Sequence, residues 1–281
     1  MSVHSGKFAT VNGEPTVGAW SINDDSDTKA YRASNTKGGT DRRPGITSWS
    51  GSFERFSGLP IVMPGTSFSF LGYEAPDSDV SGGTGQTYSG TALVDSIALT
   101  WNWQGGDLLK LVTNFSGHLA LITAAAQAAV ADNTASDARG IVEVTPPTVQ
   151  VNGAGGQVAW PNVAQISLTI SAANQPYVNS STAGGTGRKP GNIDWTLTAT
   201  EQEVLRTLFN KGDIVDLKLF IDATTFWILK FGLVKGFTNI RHDRDTGAII
   251  SRNVQIDMKA FDAAGVVGQI RLPGASSDFW P

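Results

Sequence analysis

The chain has 281 residues, a net charge of −4 and no cysteine; the last excludes disulfides and thiolate zinc sites, and the charge does not indicate a basic face for nucleic acid. Only 16% of its residues are charged, against 32 glycines and 8 tryptophans, a balance that suits a β-rich protein with broad contact surfaces better than a helical enzyme. No apolar run approaches the roughly 20 residues of a membrane helix, and the opening MSVHSGKFAT lacks a basic-then-apolar signal region, so a soluble chain without classical export is expected.

Taken in order, Phe8 to Ile22 predicts a short strand, a turn at Asn12-Gly13 and a resumed extended stretch at Val17-Gly18-Ala19-Trp20. Asn23 to Tyr31 is polar and reads as a loop. Tyr31 to Trp49, YRASNTKGGTDRRPGITSW, reads as a long shaped loop, because Gly-Gly-Thr and Pro-Gly do not fit inside a helix or a central strand. From Trp49 the two-residue alternation with Gly51 and Phe53 predicts a strand, and Phe68 and Phe70 mark another. Pro76 to Gly90 has no period and reads as an exposed loop. Ala92 to Trp103 and Leu108 to Ile122 predict two strands around Gly105-Gly106. Ala124 to Ala131 can form a short helix, Asp132 to Gly140 reads as a linker, and Ile141 to Val149 is expected to pair with the second half of the chain.

The second half repeats the plan of the first. Ile166, Leu168 and Ile170 alternate with polar residues, and a strand is expected from Trp195 to Ala199. Thr200 with Glu203 makes a capping box, Val204, Leu205 and Leu208 form an apolar stripe, and Gly212 is a stop, so a helix is predicted over Glu201 to Asn210. Val215, Leu217 and Leu219 predict a further strand, as do Phe226 to Ile240 and, beyond an Asp245-Thr246-Gly247 turn, Ile250 to Met258. Gly274 to Pro281 is a tail ending in Phe279-Trp280, and exposed aromatics there are expected to dock on something.

The repetition is visible residue by residue. Tyr177 to Trp195, YVNSSTAGGTGRKPGNIDW, matches Tyr31 to Trp49 at ten of nineteen positions without a gap. Upstream, Val11-Asn12-Gly13 and Ala19-Trp20 recur as Val151-Asn152-Gly153 and Ala159-Trp160, after which the register slips by six residues. Units of this length are too long for a solenoid and suit domains. Two tandem domains are therefore expected, residues 1–140 and 141–281.

Chemistry is sparse. His4, His118 and His242 share no metal-ligand spacing and read as structural or surface residues. Gly184-Gly185-Thr186-Gly187-Arg188-Lys189 lacks the Gly-Lys-Ser/Thr ending that opens a helix in a phosphate loop. No nucleophile elbow appears, and Asp243 with Asp245 reads as a turn. No catalytic residue, metal or cofactor is expected. The repeated stretch has two readings. It is either an internal loop whose tryptophan anchors a core, or an assembly loop that bonds a neighbouring subunit through Thr40, Arg42, Arg43, Thr186, Arg188 and Lys189. On the second reading Arg42 and Arg188 are ion-pair donors. Tyr31, Trp49, Tyr177 and Trp195 are its anchors on either reading.

The pattern Y-x-x-S-x-T-x-G-G-T-x-R-x-P-G followed by tryptophan and a strand, together with the Val-Asn-Gly start, resembles the tail tube (major tail) proteins of tailed bacteriophages. That resemblance implies an all-β fold of two tandem β-sandwich or barrel domains of the tail tube type, with a short flanking helix in the second. It implies a non-enzymatic virion protein assembled in the host bacterial cytoplasm. Its chains would close as trimeric, pseudo-hexameric rings that stack into a tube, touching neighbouring tail proteins and the tape measure protein and passing genomic DNA without specific binding. No membrane anchor is implied, and Phe279 and Trp280 become candidates for a contact between subunits. The first half lacks the helical segment, since Glu54 to Pro60 cannot form it, so the halves are not equivalent. A capsid decoration protein or tail adaptor, and a tandem sugar-binding β module encouraged by the tryptophans, are the alternatives.

Overall fold

The computed structural model describes residues 10–12, 17–37, 39–56, 60, 62–73, 86–102, 109–125, 150–153, 156–160, 162–202, 210–220, 226–243, 248–259 and 270–271. Within them the strands are β1 (Thr10–Val11), β2 (Val17–Tyr31), β3 (Asp41–Arg55), β4 (Ser67–Tyr73), β5 (Gln86–Asn102), β6 (Lys110–Ala125), β7 (Gln150–Gly153) and β8 (Gly156–Ala159) in the first stretch. They continue as β9 (Val163–Ala172), β10 (Gln175–Tyr177), β11 (Gly187–Lys189), β12 (Ile193–Gln202), β13 (Ile214–Phe220), β14 (Phe226–Asp243), β15 (Ala248–Met258) and β16 (Ile270–Arg271). The protein is mainly β, as its alternating apolar residues require. Among the described residues no helix is long and apolar enough to cross a membrane.

Fourteen strands form one sheet, ordered β2-β3-β6-β5-β9-β12-β15-β14-β13-β7-β8, with β4 also on β5, β1 on β4 and β16 on β14. The order repeats within itself. The set β2-β3-β6-β5-β4-β1 is succeeded by β9-β12-β15-β14-β13-β7, strand for strand and antiparallel throughout. Fine details recur too. Val94 donates to Thr66 O (3.1 Å) and accepts from Gly65 N (2.8 Å), while Val234 does the same with Asp213 O (2.9 Å) and Gly212 N (2.8 Å). Gly65 and Gly212 both sit at positive φ, 78° and 94°, where a side chain is strained. A bulge comes after each valine, at Asp95 in β5 and Lys235 in β14.

The two sets join edge to edge. Ser96–Asn102 of β5 pairs with Gln165–Ser171 of β9, setting Ile97 opposite Ile170, Leu99 opposite Leu168 and Trp101 opposite Ile166. All six side chains are buried, and one apolar core runs through both halves. In the first half that core is aromatic. Phe115 lies 4.9 Å from Phe70, 5.6 Å from Phe68 and 5.9 Å from Trp49, ring centre to ring centre. Trp49 lies against Gly90 and Gly117, where any Cβ would run into its indole.

Several expectations are corrected. Asn23 to Tyr31 is not a loop but the outer part of β2, paired with β3. It shows no period because Asn23 to Ala30 are all exposed, on both faces of a two-stranded ribbon. Pro44-Gly45 lies within β3 for the same reason: β6 joins β3 only from Ser50 onward, so at Pro44 one edge needs no N–H. Trp160 is not the counterpart of Trp20. Trp20 on β2 faces Phe53 and Ile166 on β9 faces Ala199, whereas Trp160 precedes β9. Glu201 and Gln202, where the predicted helix begins, are strand instead. Thr200 to Gln202 finish β12, Thr200 bonds Asn253 across the sheet, and Glu201 is buried between Arg252 and the Trp160 indole N–H. The remainder of that predicted helix, 203–209, lies outside the described residues. Ala124 and Ala125 end β6 and Gln86 to Gly90 begin β5, where a helix and a loop were expected. Residues 126–149, with the linker and the boundary at 140, lie outside the described residues, as do 244–247 and the tail with Phe279 and Trp280.

Phe115→Ala is expected to cost about 3–5 kcal/mol by urea denaturation, since Phe115 touches Trp49, Phe53, Phe68 and Phe70. Ile122→Ala, at a residue 61% exposed, is expected to stay within about 0.5 kcal/mol of the parent.

Candidate assembly interface

The two signature loops share one backbone. Each leaves its tyrosine, makes a single 3-10 turn (Ser34–Thr36 and Ser180–Thr182) and ends on a left-handed residue, Lys37 at φ 47° and Ala183 at φ 45°. The threonine kept in both explains the turn. The hydroxyl of Thr36 donates to Ala33 O (2.7 Å) and that of Thr182 to Asn179 O (2.8 Å), while each main-chain N–H bonds the same carbonyl. Gly39 N and Gly185 N then close on Thr36 O and Thr182 O, both at 2.8 Å. Because these bonds are internal, the loop is shaped before it meets anything.

The second loop is docked on the first half. Strands β3 and β6 pair as far as Ser50 and Ser116 and then diverge, which leaves main-chain groups of Thr47 and Leu119 without a ladder partner. The backbone of Gly184 to Thr186 fills that gap. Thr47 N donates to Gly184 O (2.9 Å), Thr186 N to Thr47 O (3.1 Å) and Leu119 N to Thr186 O (2.9 Å). The Thr186 hydroxyl adds a bond to Thr47 O (3.2 Å). Arg188 N donates to Nδ1 of His118 (2.9 Å), whose ring meets Tyr177 edge-on at 6.3 Å. Gly185 presses on the Leu119 backbone, where a Cβ would come within 3.1 Å, and Gly187 packs under the Tyr177 ring. Leu119 holds the left-handed φ of 65°, and its carbonyl accepts the Trp49 indole N–H at 3.1 Å. One wedge thus fixes the loop, the strand end and the tryptophan together. Beside it, Asn174 donates to Asp95 Oδ1 (2.8 Å) and Val94 O (2.9 Å) and accepts from Gly191 N. Each such bond contributes about 0.5–1.5 kcal/mol net.

Of the residues expected to carry assembly, the structure treats the two copies differently. Thr186 is buried at the joint, and Arg188 acts there through its main chain; its guanidinium Nε is buried with no partner among the described residues. Lys189 is exposed over the Tyr177 ring. In the first loop Thr40 is exposed and accepts a bond from Arg32 Nε of its own loop (2.9 Å), Arg42 is exposed, and Arg43 lies over Tyr31, whose hydroxyl donates to Asp41. Trp49 and Trp195 are buried anchors at 2% and 0% exposure; Tyr31 and Tyr177 are half-buried. His118, read as a structural or surface residue, is a structural residue of the joint. Among the described residues no three potential metal-binding side chains cluster. Neither a scan against protein-family models nor a search of curated proteins finds a match to this chain.

Gly185→Val puts bulk against Leu119 and is expected to speed hydrogen exchange at the Leu119 and Thr186 amides at least tenfold, equivalent to about 1.4 kcal/mol. Gly39→Val, at the same place in the exposed loop, is expected to leave those two amides unchanged.

Proposed function

We propose that this chain is a structural virion protein that self-assembles into stacked rings, forming the tail tube of a tailed bacteriophage and the conduit for its DNA. One observation carries the reading: two like units are joined by a continuous sheet and a preformed loop, and the first unit presents a like loop exposed at the other side. A module that binds its own kind head to tail propagates, and a rotation that closes makes a ring. With two units per chain, a trimer has pseudo-sixfold symmetry. The protein has no chemistry to perform in this role, and its net charge of −4 lets DNA pass without adhering. Neighbouring tail proteins and the tape measure protein are its other partners, and the virion is its location.

The same surfaces would serve a capsid decoration protein or a tail adaptor, and the shape of the assembled particle separates these from a tube. Among the described residues the sugar-binding alternative has no open tryptophan platform. Trp49, Trp101, Trp160, Trp195 and Trp227 are buried and Trp20 is half-buried, so none offers an open face for a sugar ring.

Negative-stain electron microscopy of the purified protein, with light scattering for mass, is expected to give rings or tubes with a channel about as wide as a DNA duplex. A monodisperse monomer at high concentration would overturn the tube reading.

A further inference from the structure

We infer that one chain joins the next through the same joint that holds its own two halves together: β2 and the first signature loop of one copy occupy the second half of its neighbour as β9 and the second loop occupy the first half. The inference rests on the self-assembly reading and adds to it which residues meet, and in what register.

The chain offers two unmatched faces. The outer edge of β2 has no strand hydrogen-bonded to it among the described residues, although β9, its counterpart, pairs with β5. The stretch of β14 from Lys235 onward has β15 on one side and nothing described on the other, because β13 ends opposite Leu233. That stretch is the counterpart of Ser96–Asn102 in β5, the strip that β9 covers. Arg32, Ala33, Asn35, Lys37, Gly39 and Thr40 of the first loop are exposed, whereas Gly185, Thr186 and Gly187 of its counterpart are buried.

The internal joint dictates the register of the external one. Ile97 faces Ile170 and Ala98 faces Thr169 within the chain. Carried to the equivalent strands, Phe237 of one copy faces Asp24 of the next, and Thr238 faces Asn23. Both positions precede the left-handed Asn239, φ 52°, where β14 bulges. Charge agrees with this pairing. Asp24 and Asp25 are exposed on β2, where Asp27 pairs with Lys29, and Lys235, 60% exposed and 3.1 Å from Asp257 of its own chain, stands at the bulge that Asp95 occupies in the first half.

A buried polar group marks the receiving cleft independently. Trp49 donates its indole N–H to Leu119 O, a carbonyl held in place by the docked loop. Trp195, its counterpart, is fully buried, and its Nε1 has no partner among the described residues. Strand β12 pairs with β15 only from Thr196 onward, so Ile193 to Trp195 border the same kind of gap that Thr47 borders in the first half. Ile193, in the place of Thr47, is 38% exposed. Thr40 of the incoming loop takes the part of Thr186 there, bonding the Ile193 main chain.

The chain has no cysteine, so engineered disulfides report the contact cleanly. Paired antiparallel residues lie about 4.5–5.5 Å apart, within the usual disulfide span. Full-length Asn23→Cys and Thr238→Cys proteins are mixed, assembled and oxidised, with electron microscopy of the same samples. The mixture is expected to give covalent dimers on a non-reducing gel, and the Asn23→Cys/Thr238→Cys double variant a ladder of longer multimers. Ile22→Cys mixed with Thr238→Cys, one residue out of register and on the other face, is expected to give at most a tenth of that yield. Rings or tubes that form without the Asn23–Thr238 cross-link, or with equal yield for the slipped pair, overturn this contact and leave the self-assembly reading standing. No assembly by microscopy and no cross-link at any concentration overturns both.

Discussion

Everything distinctive in this fold depends on the place where β3 and β6 part company. Beyond Ser50 and Ser116 the two strands diverge, and Thr47 and Leu119 are left with main-chain donors and acceptors that must be satisfied. The second signature loop supplies them with its own backbone, donor to acceptor at about hydrogen-bond length on both sides. The demand explains the composition of the loop. A Cβ at Gly185 would press to 3.1 Å of the Leu119 backbone, φ +87° at Gly184 favours glycine, and the threonine hydroxyl holds the 3-10 turn that aims them. It also explains why the tryptophan is fixed, since the Leu119 carbonyl turned by the wedge is the one that accepts the Trp49 indole.

Duplication turns this local demand into a property of the whole molecule. Each half has a loop to give and a divergence to fill, and within one chain a single loop and a single divergence match. The remaining pair faces outward. An exposed strand edge invites indiscriminate pairing, and natural sheets blunt such edges with charge. The aspartates of β2 fit that role: two β2 edges repel one another, while an edge carrying Lys235 does not. The polarity of 23–30 is therefore consistent with a strand kept soluble until it meets the correct partner. The buried ion pair of Glu201 and Arg252, shared with the Trp160 indole, has Arg55 opposite Leu111 in its place in the first half, where the core is built on Phe68, Phe70 and Phe115, so the two cores have diverged beneath a shared strand order.

The sequence made legible those strands whose two faces differ. Ile166, Leu168 and Ile170, or Val215, Leu217 and Leu219, announce themselves because one side is core and the other is not. It hid β2 because both faces of its outer part are exposed, so no period survives. It suggested a helix at Glu201 because a capping threonine and a cross-strand threonine are the same residue until Asn253 is seen opposite. The matching of Trp20 with Trp160 failed because identity over two residues outweighed a register that only ladder pairing reveals. The site was half visible. The signature loops and their tryptophan anchors could be named from repetition alone, but their bonding is through peptide groups, which carry no residue code. His118 carried no signal at all, since its role is one acceptor nitrogen placed opposite Arg188 N by two distant strands. Arg188, named for its charge toward a neighbouring subunit, also gives the joint its main-chain N–H, a contribution that no residue type announces.

The central claim is that the joint inside the chain is also the joint between chains. Hydrogen exchange of assembled against dissociated protein, resolved to single amides, tests it most directly. The account predicts that protection on assembly appears in three places: along β2 at Asn23 and Asp24, at Gly236 to Thr238 of β14, and at Thr40 with Ile193. The already docked Thr186 and Leu119 amides should stay as slow as before. Protection confined to other surfaces, with β2 and the first loop exchanging as fast in the assembly as in the free chain, would contradict it.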